Sequence, residues 1–166
     1  MIDNLTIMLE KFSGTFENCE IVKELDNVDI YRLKGPSCVA PHPLGLVYVR
    51  RTGKLFIMNS LRKWYYGRIS LLDLTSETLV RTLKRLAADL NISYEELSRG
   101  RVTQLEVGLN LRTRIPCRRL IRLMAGYKTR PRNTVKDETV YFGDRNYKKV
   151  MIYDKTAEIV AKTPLR

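Results

Sequence analysis

Apolar and polar positions alternate along much of this chain. Ile2 to Phe12 sets Ile2, Leu5, Ile7 and Leu9 among polar residues, and Val28 to Leu33 alternates Val28, Ile30 and Arg32 with Asp29, Tyr31 and Leu33. Side chains on a strand repeat every two residues, so both stretches predict strands. Leu46 to Arg51 and Lys54 to Asn59 flank Arg51-Thr52-Gly53, which predicts a hairpin. Val102 to Leu111 predicts a further strand, with Leu105, Val107, Leu109 and Leu111 on one side and Glu106, Gly108 and Asn110 on the other. Gly108 reads as room for a ligand over the sheet. A last hairpin is predicted from Thr139 to Glu158, where Val140 and Phe142 precede the turn residues Gly143 to Asn146 and the run Val150 to Tyr153 follows. Asn18 to Asp26 has no decisive period.

A different period appears between these stretches. Leu79, Leu83, Leu86 and Leu90 recur at helical spacing behind Thr75-Ser76-Glu77-Thr78, so Leu74 to Leu90 predicts a core-facing helix with a hydroxyl N-cap and an early acid. Ser93 opens a short helical turn over Tyr94 to Leu97 that Gly100 ends. Pro116, in a first helical turn, introduces a helix over Cys117 to Tyr127. The following GYKTRPRNTVK segment reads as a basic loop. This order predicts an α+β fold, a largely antiparallel sheet with helices on one face and the other face open for DNA. One domain over residues 1–166, whole or cut from a longer protein, is expected.

Charge changes this picture most. Lys plus Arg number 30 against 18 Asp plus Glu, a formal +12 with a sequence pI near 9.8. Such a balance points to polyanions, because each phosphate neutralised by Lys or Arg releases counterions. No free-standing basic amphipathic helix argues for a membrane surface. Cys19, Cys38 and Cys117 lack paired metal or disulfide spacings. With neither a signal-peptide layout nor a transmembrane run, the expected location is the cytoplasm. His42, the only histidine, stands between prolines and reads as a loop residue.

Three basic clusters are candidate nucleic-acid contacts. Ser60 to Arg68 interleaves Trp64, Tyr65 and Tyr66 with Arg62, Lys63 and Arg68, a combination that stacks bases and holds phosphates. The alternative has Trp64 and one tyrosine in the core and the basic residues solvated. Arg118 and Arg122 give the later helix a basic face, and Arg145 and Lys148 lie in the turn of the last hairpin. For catalysis, Tyr153 and Lys155 fall on one strand face about 6.6 Å apart. A phenol of pKa near 10 needs a cation, a metal ion or a base beside it, and Lys155 offers the cation. Glu106, joined by Glu158 or Asp154, offers oxygen ligands suited to Mg²⁺ or Mn²⁺. Asn110, about 13 Å from Glu106 along a strand, reads as a DNA contact or a support for the site.

Thr103 to Asn110 (TQLEVGLN), Glu138 to Gly143 (ETVYFG), Ile152-Tyr153-Asp154-Lys155 with Glu158, and Ser60 to Gly67 (SLRKWYYG) together resemble the phage and plasmid rolling-circle replication initiation proteins of the gene II and gene X type. The pattern is similar to the related trans-acting plasmid replication initiation factors. That resemblance implies a metal-dependent nicking-closing endonuclease that cuts one strand at an origin, leaving a 5′-phosphotyrosine and a free 3′-OH. It makes Tyr153 the nucleophile, Lys155 its cationic neighbour, and Glu106 and Glu158 the metal ligands. Single-stranded or origin DNA and the host replication machinery are the implied partners. The histidine-hydrophobe-histidine motif of many nickases is absent, so a carboxylate version of the metal site is expected. Tyr141 and Tyr147 are rival nucleophiles, and a non-catalytic basic DNA-binding replication or regulatory protein is the rival function.

Overall fold

A computed structural model describes residues 2–38, 40–68, 70, 72–108, 113–124, 132–135, 139–142, 150–154 and 157. The chain divides into two compact units, Met1–Leu109 and Asn110–Arg166.

The first unit is built on β1 (Ile2–Leu9), β2 (Cys19–Glu24), β3 (Val28–Leu33), β4 (Leu44–Val49), β5 (Lys54–Met58) and β6 (Arg101–Val107). Between β5 and β6 come α1 (Leu61–Tyr66), α2 (Ser76–Asp89) and α3 (Tyr94–Ser98). The six strands form one sheet in the order β2-β3-β4-β5-β1-β6, and each neighbouring pair is antiparallel. The tight β4–β5 connection is closed by Gly53 at φ 67, a backbone region open to glycine at little cost. The first strand lies one in from the β6 edge, between β5 and β6, so this part of the sheet closes only through long-range pairing.

Alternation decides which face is dry. Leu5, Ile7 and Leu9 of β1, Leu33 of β3, Leu44 and Leu46 of β4, and Leu55 and Ile57 of β5 form one core with Leu61 and Trp64 of α1, Leu86 and Ala87 of α2, and Leu90 and Leu97. The helical members of that core all meet the Leu5–Ile7–Leu9 side. Asn4, Thr6, Phe56, Val47 and Ile30, on the opposite side by alternation, are half-buried.

Local signals end the helices where the sequence places them. The Thr75 hydroxyl accepts from the Thr78 N–H at 3.3 Å, and the Ser93 hydroxyl accepts from the Glu96 N–H at 3.0 Å. Asn91, at φ 52, turns the chain out of α2. Helix α1 is capped likewise by Ser60, whose hydroxyl accepts from the Lys63 N–H at 3.2 Å. Gly35 packs against this helix, because a Cβ built there would lie 2.1 Å from the Trp64 carbonyl oxygen. Gly35→Ala is therefore expected to lower stability by about 1–3 kcal/mol, the usual cost of overpacking. Urea midpoints of the two proteins measure it, and equal midpoints would mean that the loop yields freely.

Asp29 of β3 is nearly buried and pairs with Arg50, whose Nε donates to Asp29 Oδ2 at 2.8 Å. The hydrogen bond from Arg50 holds the Asp29 carboxyl below the usual carboxylate range; burial opposes it, and the Arg50 charge adds a smaller lowering effect. A depressed folded pKa adds stability above the unfolded value of about 4, and this is lost as pH falls through the folded value. Asp29→Asn is thus expected to flatten the acid limb of a stability–pH curve followed by urea denaturation. A limb of unchanged slope would remove Asp29 from the acid response.

The second unit contains α4 (Cys117–Leu123), β7 (Arg132–Val135), β8 (Thr139–Phe142) and β9 (Val150–Tyr153). The strands form an antiparallel sheet in the order β7-β8-β9. Ile121, Val140 and Phe142 are buried together, with Cys117, Met124, Val150 and Ile152 packed on them. Two expectations are corrected here. The stretch read as a basic loop holds β7, because its backbone pairs along β8 from Arg132↔Phe142 to Val135↔Thr139. Helix α4 begins at Cys117 behind Pro116 as the sequence predicts, but ends at Leu123, since Met124 turns extended at ψ 100; residues 125–127 of the predicted helix lie outside the described residues.

The α+β class and the antiparallel sheet agree with the sequence reading. No helix among the described residues is long and apolar enough to cross a membrane. The three cysteines are free thiols. Burial, with the Asp89 charge adding to it, pushes the Cys19 thiol up to about 11 and so keeps it protonated and unreactive at neutral pH.

Candidate nucleic-acid interface and strand-transfer site

Glu106 lies on β6 directly opposite Asn4 of β1, on the side of the sheet away from the helical core. Asn4 Nδ2 donates to Glu106 Oε2 at 2.7 Å, across 102 positions of sequence. Thr6 and Gln104 form the next pair on this side. Arg101, paired with Met8, reaches the Met8 sulfur at 3.8 Å and Glu10 at 3.6 Å. The face therefore presents a carboxylate, two amides and a guanidinium around an apolar floor of Met8 and Phe56.

The donor chemistry at Glu106 fits a hard divalent cation in part. A carboxylate and the neighbouring amide offer oxygens, and Mg²⁺ commonly binds through one or two carboxylates and completes its shell with water and substrate phosphates. Among the described residues no group of three or more His, Cys, Asp or Glu converges on one point. Glu158, the second expected ligand, lies outside the described residues, as do Lys155, Asn110, Arg145 and Lys148.

Tyr153 ends β9 opposite Thr139 and is half-exposed. Alternation puts it on the side of its sheet away from Val140, Phe142 and Ile152, together with Tyr141 and Met151. Asp154 accepts from the Ala157 N–H at 3.0 Å, so its carboxylate caps the turn after the strand. Burial, helped by the Asp154 charge, raises the Cys117 thiol pKa. The single sheet that the sequence predicts would hold both Glu106 and Tyr153. The strand pairing corrects this, with Glu106 in the six-stranded sheet of the first unit and Tyr153 in the three-stranded sheet of the second. Their separation follows from pairing, since β6 takes β1 as neighbour while β9 takes β8.

The Ser60–Arg68 segment also differs from a stacking platform. The Trp64 indole is fully buried in the core, and Arg62, 1% exposed, donates to the Ser70 carbonyl. Neither offers a surface to nucleic acid, because one short helical turn aims both inward. Lys63 and Tyr65 stay half-buried and Arg68 is exposed. Tyr65 and Tyr66 meet edge to face with ring centroids 5.1 Å apart, and with Pro36, Ser37 and Arg85 they line an open cleft of about 490 Å³. Arg118 and Arg122 are exposed on α4. Asn4 escaped the sequence reading because its partner Glu106 lies 102 positions away, and Arg85, paired with Asp89 within α2, because its cleft neighbours come from other elements.

Comparison with protein-family models, with curated proteins and with solved structures gave no match. The site must therefore be read from its own chemistry.

Proposed function

We propose that this protein initiates DNA replication by nicking one strand of an origin, using the Tyr153 hydroxyl as nucleophile. The observation that carries this reading is the Glu106–Asn4 pair on the face of an antiparallel sheet opposite the first unit's helical core, in a chain of net charge +12. That face suits an extended single strand, with phosphates drawn by the positive field and apolar floor residues beneath the bases. In the step proposed, the phenol oxygen bonds to the scissile phosphorus, the bond to the 3′ oxygen breaks, and a 5′-phosphotyrosine and a free 3′-OH result. The phenol gives up one proton and the leaving 3′ oxygen takes one. Lys155 is the cation proposed to stabilise the phenolate, and in the first unit Glu106 and Asn4 offer oxygen atoms that would hold a divalent ion. The chemistry such an ion would supply is positive charge for phosphate oxygens.

A second reading, a basic DNA-binding replication protein without catalysis, draws on the same pair: the Asn4 amide donates to one oxygen of Glu106, a cross-strand hydrogen bond that a purely structural carboxylate also makes. One assay separates the two. The protein is incubated with single-stranded DNA spanning candidate origins and Mn²⁺, and the products are resolved under denaturing conditions. A covalent protein–DNA band is expected, with the nucleotide mapped to the peptide containing Tyr153. Absence of the band across the candidate origins, with DNA binding intact, supports the non-catalytic reading. Affinity for DNA is expected to fall steeply between about 50 and 200 mM salt under either reading.

A further inference from the structure

We infer that β6 is a self-complementary edge on which a second copy of this chain pairs, extending the six-stranded sheet across a two-fold axis. This does not rest on the nicking reading. Strand β6 ends the sheet, with β1 on one side and no described strand on the other. It is also uncovered: Val102 is 52% exposed, Leu105 53% and Val107 68%. An exposed apolar edge is a template for another strand, which is why edges are commonly blunted by charge, by proline or by shortening. The opposite edge, β2, exposes Ile21 and Val22 too, but Glu20, Lys23 and Glu24 make half of its six residues charged.

The occupant follows from register. An irregularity between Thr6 and Ile7 makes Thr6 pair with Gln104 but Ile7 pair with Val102, so Thr103 is an extra residue in β6. The bulge shifts the alternation. Val102 lies with Ile7 and Leu105 lies with Leu5, both on the helical side, whereas Arg101 and Glu106 share the opposite side through their partners Met8 and Asn4. When two copies of β6 run antiparallel about the midpoint between Thr103 and Gln104, Val102 of each faces Leu105 of the other, and Arg101 of each faces Glu106 of the other. Without the bulge these residues would point to opposite faces and the register would fail. Apolar pairs and opposite charges directly across a ladder both stabilise it, and the two-fold axis makes every pair occur twice.

The test uses the full chain in reductant, which excludes disulfide linkage through the exposed Cys38, with sedimentation velocity over a concentration series. A reversible dimer is expected. Leu105→Lys should weaken it at least about tenfold with the circular dichroism spectrum unchanged, since each lysine would face an apolar neighbour. Charge exchange is read in a Glu10→Ala background, which removes the contact Arg101 makes within its own chain. There Arg101→Glu and Glu106→Arg should each weaken the dimer about tenfold, and the double exchange should restore it. The inference is overturned by a monomer at all concentrations up to about 100 μM, well above the micromolar range of specific pairs. Oligomers larger than a dimer, a folded Leu105→Lys protein that dimerises normally, or a double exchange as weak as the single ones would each overturn it as well.

Discussion

Trp64→Ala is expected to lower the free energy of unfolding by about 3–5 kcal/mol, the range for deleting a fully buried large aromatic side chain. The indole has no exposed surface, lies in the core shared by α1 and the sheet, and holds its backbone against Gly35. The six-residue α1 is otherwise anchored by Leu61, the Ser60 cap and the buried Arg62 on the Ser70 carbonyl, so the indole is its largest apolar contact with the core. A domain is typically stable by only about 5–15 kcal/mol, so the loss would be a large share of the whole. Trp64→Phe should cost much less. It keeps most of the apolar volume and removes an indole Nε1–H that has no hydrogen-bond partner among the described residues. Urea unfolding followed by far-ultraviolet circular dichroism measures both variants, since the only tryptophan is the one replaced. A loss below about 1 kcal/mol for Trp64→Ala would mean that α1 is not docked on the sheet. The same burial predicts that DNA will not quench wild-type tryptophan emission by stacking on the indole.

Tyr153→Phe is expected to abolish the covalent DNA adduct while leaving DNA binding within about twofold, because the change removes one hydroxyl and retains an aromatic residue suited to a strand. Tyr141 is the necessary control. It lies on the neighbouring strand β8, opposite Met151, on the same side of the small sheet as Tyr153. A strand pleat places these two phenols within a diagonal step of each other, so burial and face do not separate them. Tyr141→Phe should retain the adduct. If the adduct survives Tyr153→Phe and is lost in Tyr141→Phe, the nucleophile is Tyr141; if it survives both, neither tyrosine carries the chemistry. Glu106→Gln, which keeps the shape and one oxygen acceptor for Asn4, should reduce adduct formation and raise the Mn²⁺ concentration needed for it. A Glu106→Gln protein with unchanged metal dependence would place the ion elsewhere.

Both predictions concern residues that the chain displays openly, yet they differ in how much of their setting the sequence discloses. The Tyr153 hairpin was readable in advance, because Val140 and Phe142 alternate before the turn and Val150 to Tyr153 follows it, and β8 and β9 pair as that pattern requires. Trp64 was not. Its segment offers aromatic and basic residues in equal measure, and nothing local decides whether the indole or the guanidinium of Arg62 meets solvent. In the fold both turn inward, the first into the core and the second onto the Ser70 carbonyl. The basic stretch before the last hairpin hid a strand for a related reason. Its charge suggested a loop, but an edge position on β8 tolerates charge while supplying a backbone partner.

Sequence alone determined what short-range physics controls: the antiparallel strands with period two, the Thr75 and Ser93 caps of the helices, the Gly53 turn, and a positive field suited to a polyanion. Each depends on residues within a turn or two of one another, where sterics and hydrogen bonding leave few choices. Tertiary structure alone decided that β1 inserts between β5 and β6, that Asn4 meets Glu106, that Glu106 and Tyr153 belong to different sheets, and that a bulge at Thr103 gives β6 its self-complementary face. Those outcomes follow from competition among many apolar strands for neighbours far along the chain, and local periodicity carries no information about which neighbour wins.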